Sequence, residues 1–278
     1  MTTLKKLSNG FEYIEIENSS ARAKIALQGA HVFEYERKGE DELFWLSEIS
    51  DFERGKAIRG GVPICWPSFG MNNPELPQHG FARTSLFKCT SREDVDADTT
   101  EVELRLTHSE ESLKLWNYKY ELVLKVTISD KLAIELKTIN RDEKEFKLTQ
   151  ALHSYFRLSD ISNAVVRGLD KKPCFDALRD ENSIQNGDIT FNQEFDKVFQ
   201  HVDNELLLQD KEKTIKIKNE GSSSVVVWNP WIEKCKRMSA MKDEAYREFV
   251  CIESANAFED FVVLKPKEEH TLIATIKY

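Results

Sequence analysis

Apolar and polar positions alternate with a period of two along most of this chain. Val102, Leu104 and Leu106 alternate with Glu101, Glu103 and Arg105, while Tyr118, Tyr120, Leu122, Leu124, Val126 and Ile128 extend one long apolar face. Successive strand side chains point to opposite faces, so such runs bury one face and wet the other. Ser129-Asp130 reads as a hairpin turn into Leu132, Ile134 and Leu136. Upstream, residues 11–16 follow an Asn9-Gly10 turn and are rich in strand-forming types. Ala23, Ile25 and Leu27, then Phe33 and Tyr35, repeat the alternation, and Phe44-Trp45-Leu46 forms a short apolar patch. Downstream, Phe146 and Leu148, Ile215 and Ile217, and residues 249–252, 261–264 and 272–276 complete the set. The unbroken Val225-Val226-Val227-Trp228 predicts a strand buried on both faces. Residues 164–196 are broken into short pieces by Gly168, Pro173 and Asn186-Gly187. Helical spacing is confined to residues 110–116 and 231–241, and the acidic piece 93–98 reads as a solvated loop. No linker, repeat or low-complexity tract divides the chain. The expectation is an all-β fold, one domain over residues 1–278, built as a large antiparallel β-sandwich with few short helices.

One stretch departs from the alternation. Between Arg59 and Arg83 the backbone is punctuated by Gly60, Gly61, Gly70 and Gly80 and by Pro63, Pro67, Pro74 and Pro77, so it must turn often. The same stretch carries Trp66, Phe69 and Phe81, which favour burial. A buried irregular segment has to satisfy its backbone polar groups one by one. Its remaining polar residues are Arg59, Gln78, His79 and Arg83. Two guanidinium groups can fork onto a phosphate, and an amide and an imidazole can reach hydroxyls. That set suits an anionic, hydroxyl-rich ligand. The plain alternative is a glycine-rich connection with its arginines on the surface.

Composition narrows the field. The 278 residues carry a formal net charge of -9, which argues against nonspecific nucleic-acid binding. Any attraction for an anion must therefore be local. Five cysteines, Cys65, Cys89, Cys174, Cys235 and Cys251, are odd in number and contain no Cys-x-x-Cys pair. Reduced thiols in the cytosol fit this better than a disulfide framework or a zinc site. The N-terminus leads into no apolar run and no stretch approaches membrane-spanning length, so the expectation is a cytoplasmic protein without a membrane partner. The oligomeric state is left open, with a monomer as the default.

Three further places put polar groups where strands favour apolar ones. His153 interrupts Gln150-Ala151-Leu152-His153-Ser154-Tyr155-Phe156, Glu253 follows Cys251-Ile252, and Asp196 lies in Phe195-Asp196-Lys197-Val198-Phe199. Each has a structural alternative: a hydrogen-bonded core histidine, a solvated strand end and a side chain facing water. Together with Arg59-Gly60-Gly61-Val62-Pro63-Ile64-Cys65-Trp66-Pro67, Gln78-His79-Gly80-Phe81-Ala82-Arg83 and Val227-Trp228-Asn229-Pro230-Trp231, they stand in the order of one family. The chain resembles, over nearly its full length, the hexose-6-phosphate mutarotases (glucose-6-phosphate 1-epimerases) of the aldose-epimerase superfamily.

The resemblance implies a galactose-mutarotase-like β-sandwich and interconversion of the α and β anomers of a hexose 6-phosphate. It implies His153 as general acid and Glu253 as general base, with Arg59, Gln78, Arg83 and Asp196 binding substrate. A sugar contact for His79 is inferred from its chemistry and from the wider superfamily. The reaction opens a cyclic hemiacetal: the ring oxygen gains a proton and the anomeric hydroxyl loses one. One acid and one base on opposite sides of that carbon suffice, and no metal, redox cofactor or covalent nucleophile is required. Two departures from the family pattern are Ser254-Ala255, where Pro-Gly is frequent, and Lys267, where glycine is common. The rival readings are an epimerase of unphosphorylated aldoses, a noncatalytic sugar-phosphate binder and a carbohydrate-surface module.

Overall fold

Alternation becomes strand almost wherever it occurs. The computed structural model describes all residues except Asn72, Asn204 and Glu212. Among the described residues the longest sheet has nine strands, running in space from Ile189–Thr190 through Ala164–Arg167, Leu206–Asp210, Lys213–Glu220, Glu269–Lys277, Leu132–Asn140, Tyr120–Ile128 and Thr100–Thr107 to Lys88–Asp94. A second sheet of eight strands runs from Glu181–Ile184 through Pro173–Asp176, Phe195–Phe199, Ser224–Asn229, Phe249–Asn256 and Gln150–Leu152 to Ile64–Cys65, with Tyr155–Arg157 also pairing onto Phe249–Asn256. The strand pairings within both sheets are antiparallel.

The two sheets share one apolar core. Leu122, Leu124, Val126, Leu132, Ile134 and Leu136 from the nine-stranded sheet join Val225, Val227, Val250 and Ile252 from the other. Period two then assigns the remaining residues of the second sheet to its opposite face. Val198, Val226, Ala151, Ala255 and Cys65 form a separate small cluster there with Phe69. The strand Ser224–Asn229 is thus buried on both faces, as its unbroken apolar run predicts.

Two elements differ from the sequence expectation. Thr2–Lys6 is a strand, pairing with Glu12–Glu17 in a four-stranded sheet that continues through Ala21–Ala26 and His31–Arg37. It is an exposed edge without an apolar face, held by the Lys5–Glu15 and Lys6–Glu12 ion pairs, so no alternation marks it. Glu93 and Asp94 belong to the edge strand Lys88–Asp94, not to a loop; the turn begins only at Val95. Charges on an edge strand discourage pairing with another chain, which explains an acidic run in extended backbone. The helices are short, Glu110–Leu115 and Trp231–Arg237, the second ending before the expected boundary at Met241.

The Arg59–Arg83 stretch lies over the second sheet and contributes its edge strand Ile64–Cys65. Its polar backbone groups find partners individually. Trp66 N–H donates to the His79 carbonyl at 3.2 Å, Phe81 N–H to the Trp66 carbonyl at 3.0 Å, His153 N–H to Pro63 at 3.0 Å and Tyr155 N–H to Gly61 at 2.9 Å. Trp66 is fully buried and anchors the stretch. Its indole N–H donates to Thr138 Oγ1 at 2.9 Å, and its ring meets Phe81, Trp116 and Tyr120 at centroid distances of 5.6, 5.2 and 4.5 Å. Such ring pairs add about 0.5–1.5 kcal/mol each beyond their burial. His31 Nε2 lies 2.8 Å from the Gly60 carbonyl beneath the loop, and burial pushes its pKa down to about 4.

Glycine is required where the stretch crosses other backbone. Gly80 has φ +70°, and a Cβ there would lie 2.1 Å from the Trp66 carbonyl oxygen. Gly10 has φ +81° but nothing within 4 Å of a Cβ. Gly10→Ala should therefore carry only the left-handed penalty of about 1–2 kcal/mol. Gly80→Ala adds a clash with backbone and should destabilise by about 3 kcal/mol or more. Urea unfolding of the two variants measures the difference; equal losses would show that the crossing can relax.

Candidate active site

The small apolar face of the second sheet floors a cleft of about 200 Å³. Arg59, Gln78, His79, Arg83, His153, Asp196 and Glu253 all line it, together with Ile58, Pro63, Phe69, Tyr155, Val226, Trp228, Lys234 and Met238. The strands bring them together through register. Leu152 pairs with Ser254 in the antiparallel ladder, so the next residue on one strand, His153, falls beside the preceding residue on the other, Glu253. Val226 is the partner of Glu253 on the following strand, and Asp196 pairs with Trp228 one row along. Asp196, Val226, Trp228 and Glu253 thus share one face.

Glu253 is 2% exposed and sits in mid-strand, which removes the reading of a solvated strand end. Its Oε1 lies 3.4 Å from His153 Nε2. Its Oε2 and the His153 Nδ1 are buried and have no hydrogen-bond partner. Burial raises the Glu253 pKa well above its ordinary 4.5, and the nearby Asp196 adds to the effect. Burial also pushes His153 well below its ordinary 6.5, assisted by His79, Arg83 and Arg59. Both shifts drive the pair toward its uncharged form, a carboxyl facing an imidazole. The two groups stand side by side, not on opposite sides of a substrate-wide gap.

The surroundings fix both imidazoles. Tyr155 stacks on His153 with an interplanar angle of 11° and a centroid distance of 4.9 Å, and Trp228 meets it edge-on at 5.9 Å. His79 also approaches edge-on, at 5.7 Å. His79 sits at φ +64°, a left-handed conformation unusual for a non-glycine residue and often retained at functional sites. Its Nδ1 accepts the Gly70 N–H at 3.2 Å, and burial with Arg83 and Arg59 lowers its pKa to about 3. The ring is therefore neutral with its proton on Nε2, a hydrogen-bond donor.

Three cations line the cleft. Arg59 Nη1 donates to the Tyr155 hydroxyl at 3.4 Å, while its buried Nε has no partner. Arg83 Nη2 donates to the Gln78 carbonyl at 2.7 Å, and the Gln78 side chain is exposed at the rim. Lys234, on the short helix Trp231–Arg237, pairs with Glu194 at 3.0 Å and Asp196 at 3.5 Å. Burial raises the Asp196 pKa, and Lys234 counteracts that rise. Cys65 and Cys251 are buried near the cleft, and desolvation followed by the Glu253 charge pushes both thiols up, which disfavours a thiolate nucleophile. A larger cleft, about 700 Å³, lies beside Asp41, Glu42, Arg157 and Asp210, but it brings together no comparable pair of buried unpartnered groups.

Residues 12–277 match the aldose 1-epimerase family. The chain belongs to that family. An Escherichia coli (strain K12) protein with the provisional name glucose-6-phosphate 1-epimerase is 35% identical over 264 residues, spanning 93% of this chain and 88% of its own length. A Cenchrus ciliaris protein with the same provisional name is 36% identical, spanning 96% and 84%. Among solved structures, YeaD of Salmonella typhimurium, provisionally titled a mutarotase, superposes with a TM-score of 0.93 at 31% identity, covering 99% of this chain and 92% of that one. The aldose 1-epimerase fold is thus the sandwich described above, and the chain is an epimerase acting at an anomeric carbon.

Within this aldose 1-epimerase, the departure at Ser254-Ala255 leaves the chain path intact. The strand runs unbroken through Asn256, and Ser254 Oγ donates to Asn219 Oδ1 at 2.6 Å. Lys267 adopts φ +70°, the conformation that favours glycine at that turn. Sequence reasoning gave no role to Lys234 or Tyr155. Lys234 meets an acid 38 residues away, a contact that no local pattern signals.

The charge on Glu253 has a measurable effect on folding. Folded Glu253 keeps a proton that the unfolded chain releases above pH 4.5, so its contribution to stability falls as pH rises from 4.5 through its folded pKa. Glu253→Gln removes that loss. Thermal melts should show the variant gaining on the parent protein as pH rises from about 5 to about 8. A pH-independent difference would show that the carboxyl is not held protonated.

Proposed function

We propose that this chain, acting as one galactose-mutarotase-like domain over residues 1–278, interconverts the α and β anomers of hexose 6-phosphates, glucose 6-phosphate foremost. The observation that carries the reading is the 3.4 Å approach of His153 to Glu253 in a cleft also lined by Arg59 and Arg83. An epimerase of free sugars needs the pair but has no use for two guanidiniums. A noncatalytic binder needs the guanidiniums but has no use for a buried carboxyl and imidazole with unpartnered atoms. The provisional name of the Escherichia coli and Cenchrus ciliaris relatives supports the same substrate.

In the mechanism we propose, Glu253 as carboxylate takes the proton of the anomeric hydroxyl. His153 as imidazolium gives a proton to the ring oxygen, and the bond between that oxygen and C1 breaks. The open-chain aldehyde is left beside a carboxyl and a neutral imidazole. After rotation about C1–C2 the imidazole recovers its proton from the C5 hydroxyl, the carboxyl returns its own to the aldehyde oxygen, and the ring closes on the other face. The protein supplies one shared proton and no net charge changes. Arg59 and Arg83 hold the phosphate while C1 turns, which lowers the entropic part of the barrier. His79 through Nε2–H, Gln78 and Asp196 bind hydroxyls. The cytoplasm, where hexose phosphates occur, is the compartment this reading favours.

Magnetisation-exchange NMR on glucose 6-phosphate tests the proposal. His153→Ala and Glu253→Gln should each lose about 10²- to 10⁴-fold in exchange rate while remaining folded. Arg59→Ala or Arg83→Ala should chiefly raise KM, by about 10- to 100-fold, the worth of one charge-assisted contact. Normal exchange in Glu253→Gln would move the base elsewhere. Equal kcat/KM for glucose and glucose 6-phosphate would remove the phosphate from the reading.

A further inference from the structure

The cleft contains a conflict that the substrate itself can resolve. Ring opening as proposed starts from imidazolium and carboxylate, yet the protein groups of the cleft by themselves favour imidazole and carboxyl. Burial is the chief cause, and the groups facing His153 add to it. Arg59 reaches it through Tyr155, whose hydroxyl accepts from Arg59 and whose ring lies flat on the imidazole. Arg83 and the neutral His79 approach from the loop, and Trp228 closes another side with an apolar edge. Among the described residues that line the cleft, the acids are Glu253, 3.4 Å away, and Asp196 beyond it. Both guanidiniums disfavour a third positive charge on the imidazole. Arg59 keeps a buried Nε without a hydrogen-bond partner, and both guanidiniums line the cleft.

Resting on the hexose-phosphate reading, we infer that an oxyanion seated on Arg59 and Arg83 arms the site by letting the shared proton pass from Glu253 to His153 Nε2. The transfer breaks the carboxyl O–H bond, forms the imidazolium N–H bond and moves no net charge into or out of the cleft. A phosphate dianion on the two guanidiniums offsets the part of the opposition to imidazolium that comes from their charge. The phosphate is then more than a handle. The same arming needs no covalent link to the sugar, so the protein has a second activity: exchange of free aldose anomers, switched on by a separate small oxyanion.

Sodium phosphite with [1-13C]glucose tests this. Phosphite should raise the enzyme-dependent anomer exchange of glucose saturably, by about tenfold or more, a fraction of what a general acid contributes. The uncatalysed rate at the same phosphite concentration is subtracted. The 15N shifts of His153, assigned by their loss in His153→Gln, should move from neutral imidazole toward imidazolium on phosphite addition. Arg59→Met should abolish both responses. Phosphite that competes with glucose 6-phosphate but leaves glucose exchange and the His153 nitrogens unchanged overturns the inference, as does no response at the highest attainable phosphite. In either case brisk exchange of glucose 6-phosphate leaves the proposed function standing. Absence of that exchange overturns both together.

Discussion

A carboxyl group in the dry interior of a sheet is the constraint on which this structure turns. Removing an isolated carboxylate from water costs several kcal/mol, and an ionised one without partners is rarely tolerated. Here the ladder between 150–152 and 254–256 sets Glu253 against His153. Burial favours the form of the pair in which the carboxyl keeps its proton and the imidazole is neutral. The aromatic rings around them, Tyr155, Trp228 and Phe69, limit access by water. The nearby thiols remain protonated because the same desolvation acts on them. The two guanidiniums, Arg59 and Arg83, stand where their fields reach both imidazoles.

Much of the scaffold was legible because a sheet writes its faces into the chain. Residues 102–106, 120–128 and 132–136 carried the period of two that places Leu124 and Leu136 inside. The run Val225-Val226-Val227-Trp228 announced a strand buried twice over, and that second burial is the floor of the cleft. The Arg59–Arg83 stretch was legible as a built loop because it combined glycine, proline and tryptophan. Gly60, Gly61 and Gly80 proved to be backbone crossings. The exposed strand Thr2–Lys6 was illegible, since it has no apolar face to write.

The cleft was legible only residue by residue. The interruptions at His153, Asp196 and Glu253 flagged polar groups in apolar strands, and the motif order named the family. Their mutual geometry depends on register between segments about a hundred residues apart, which periodicity does not carry. That is why a facing acid and base had to be replaced by an adjacent pair. Lys234 was invisible for the same reason: its helix is an ordinary short one, and only the sheet beneath supplies the acids that hold it.

The anchoring of the loop has a kinetic corollary. Trp66 is pinned to Thr138 of the opposite sheet, Gly60 is backed by His31, and the backbone of Pro63 and Gly61 is tied to His153 and Tyr155. A segment fastened at so many points cannot swing as a lid without loosening the core. Substrate must therefore come and go through a mouth that stays open, and turnover would wait on proton movement and diffusion, not on a hinge.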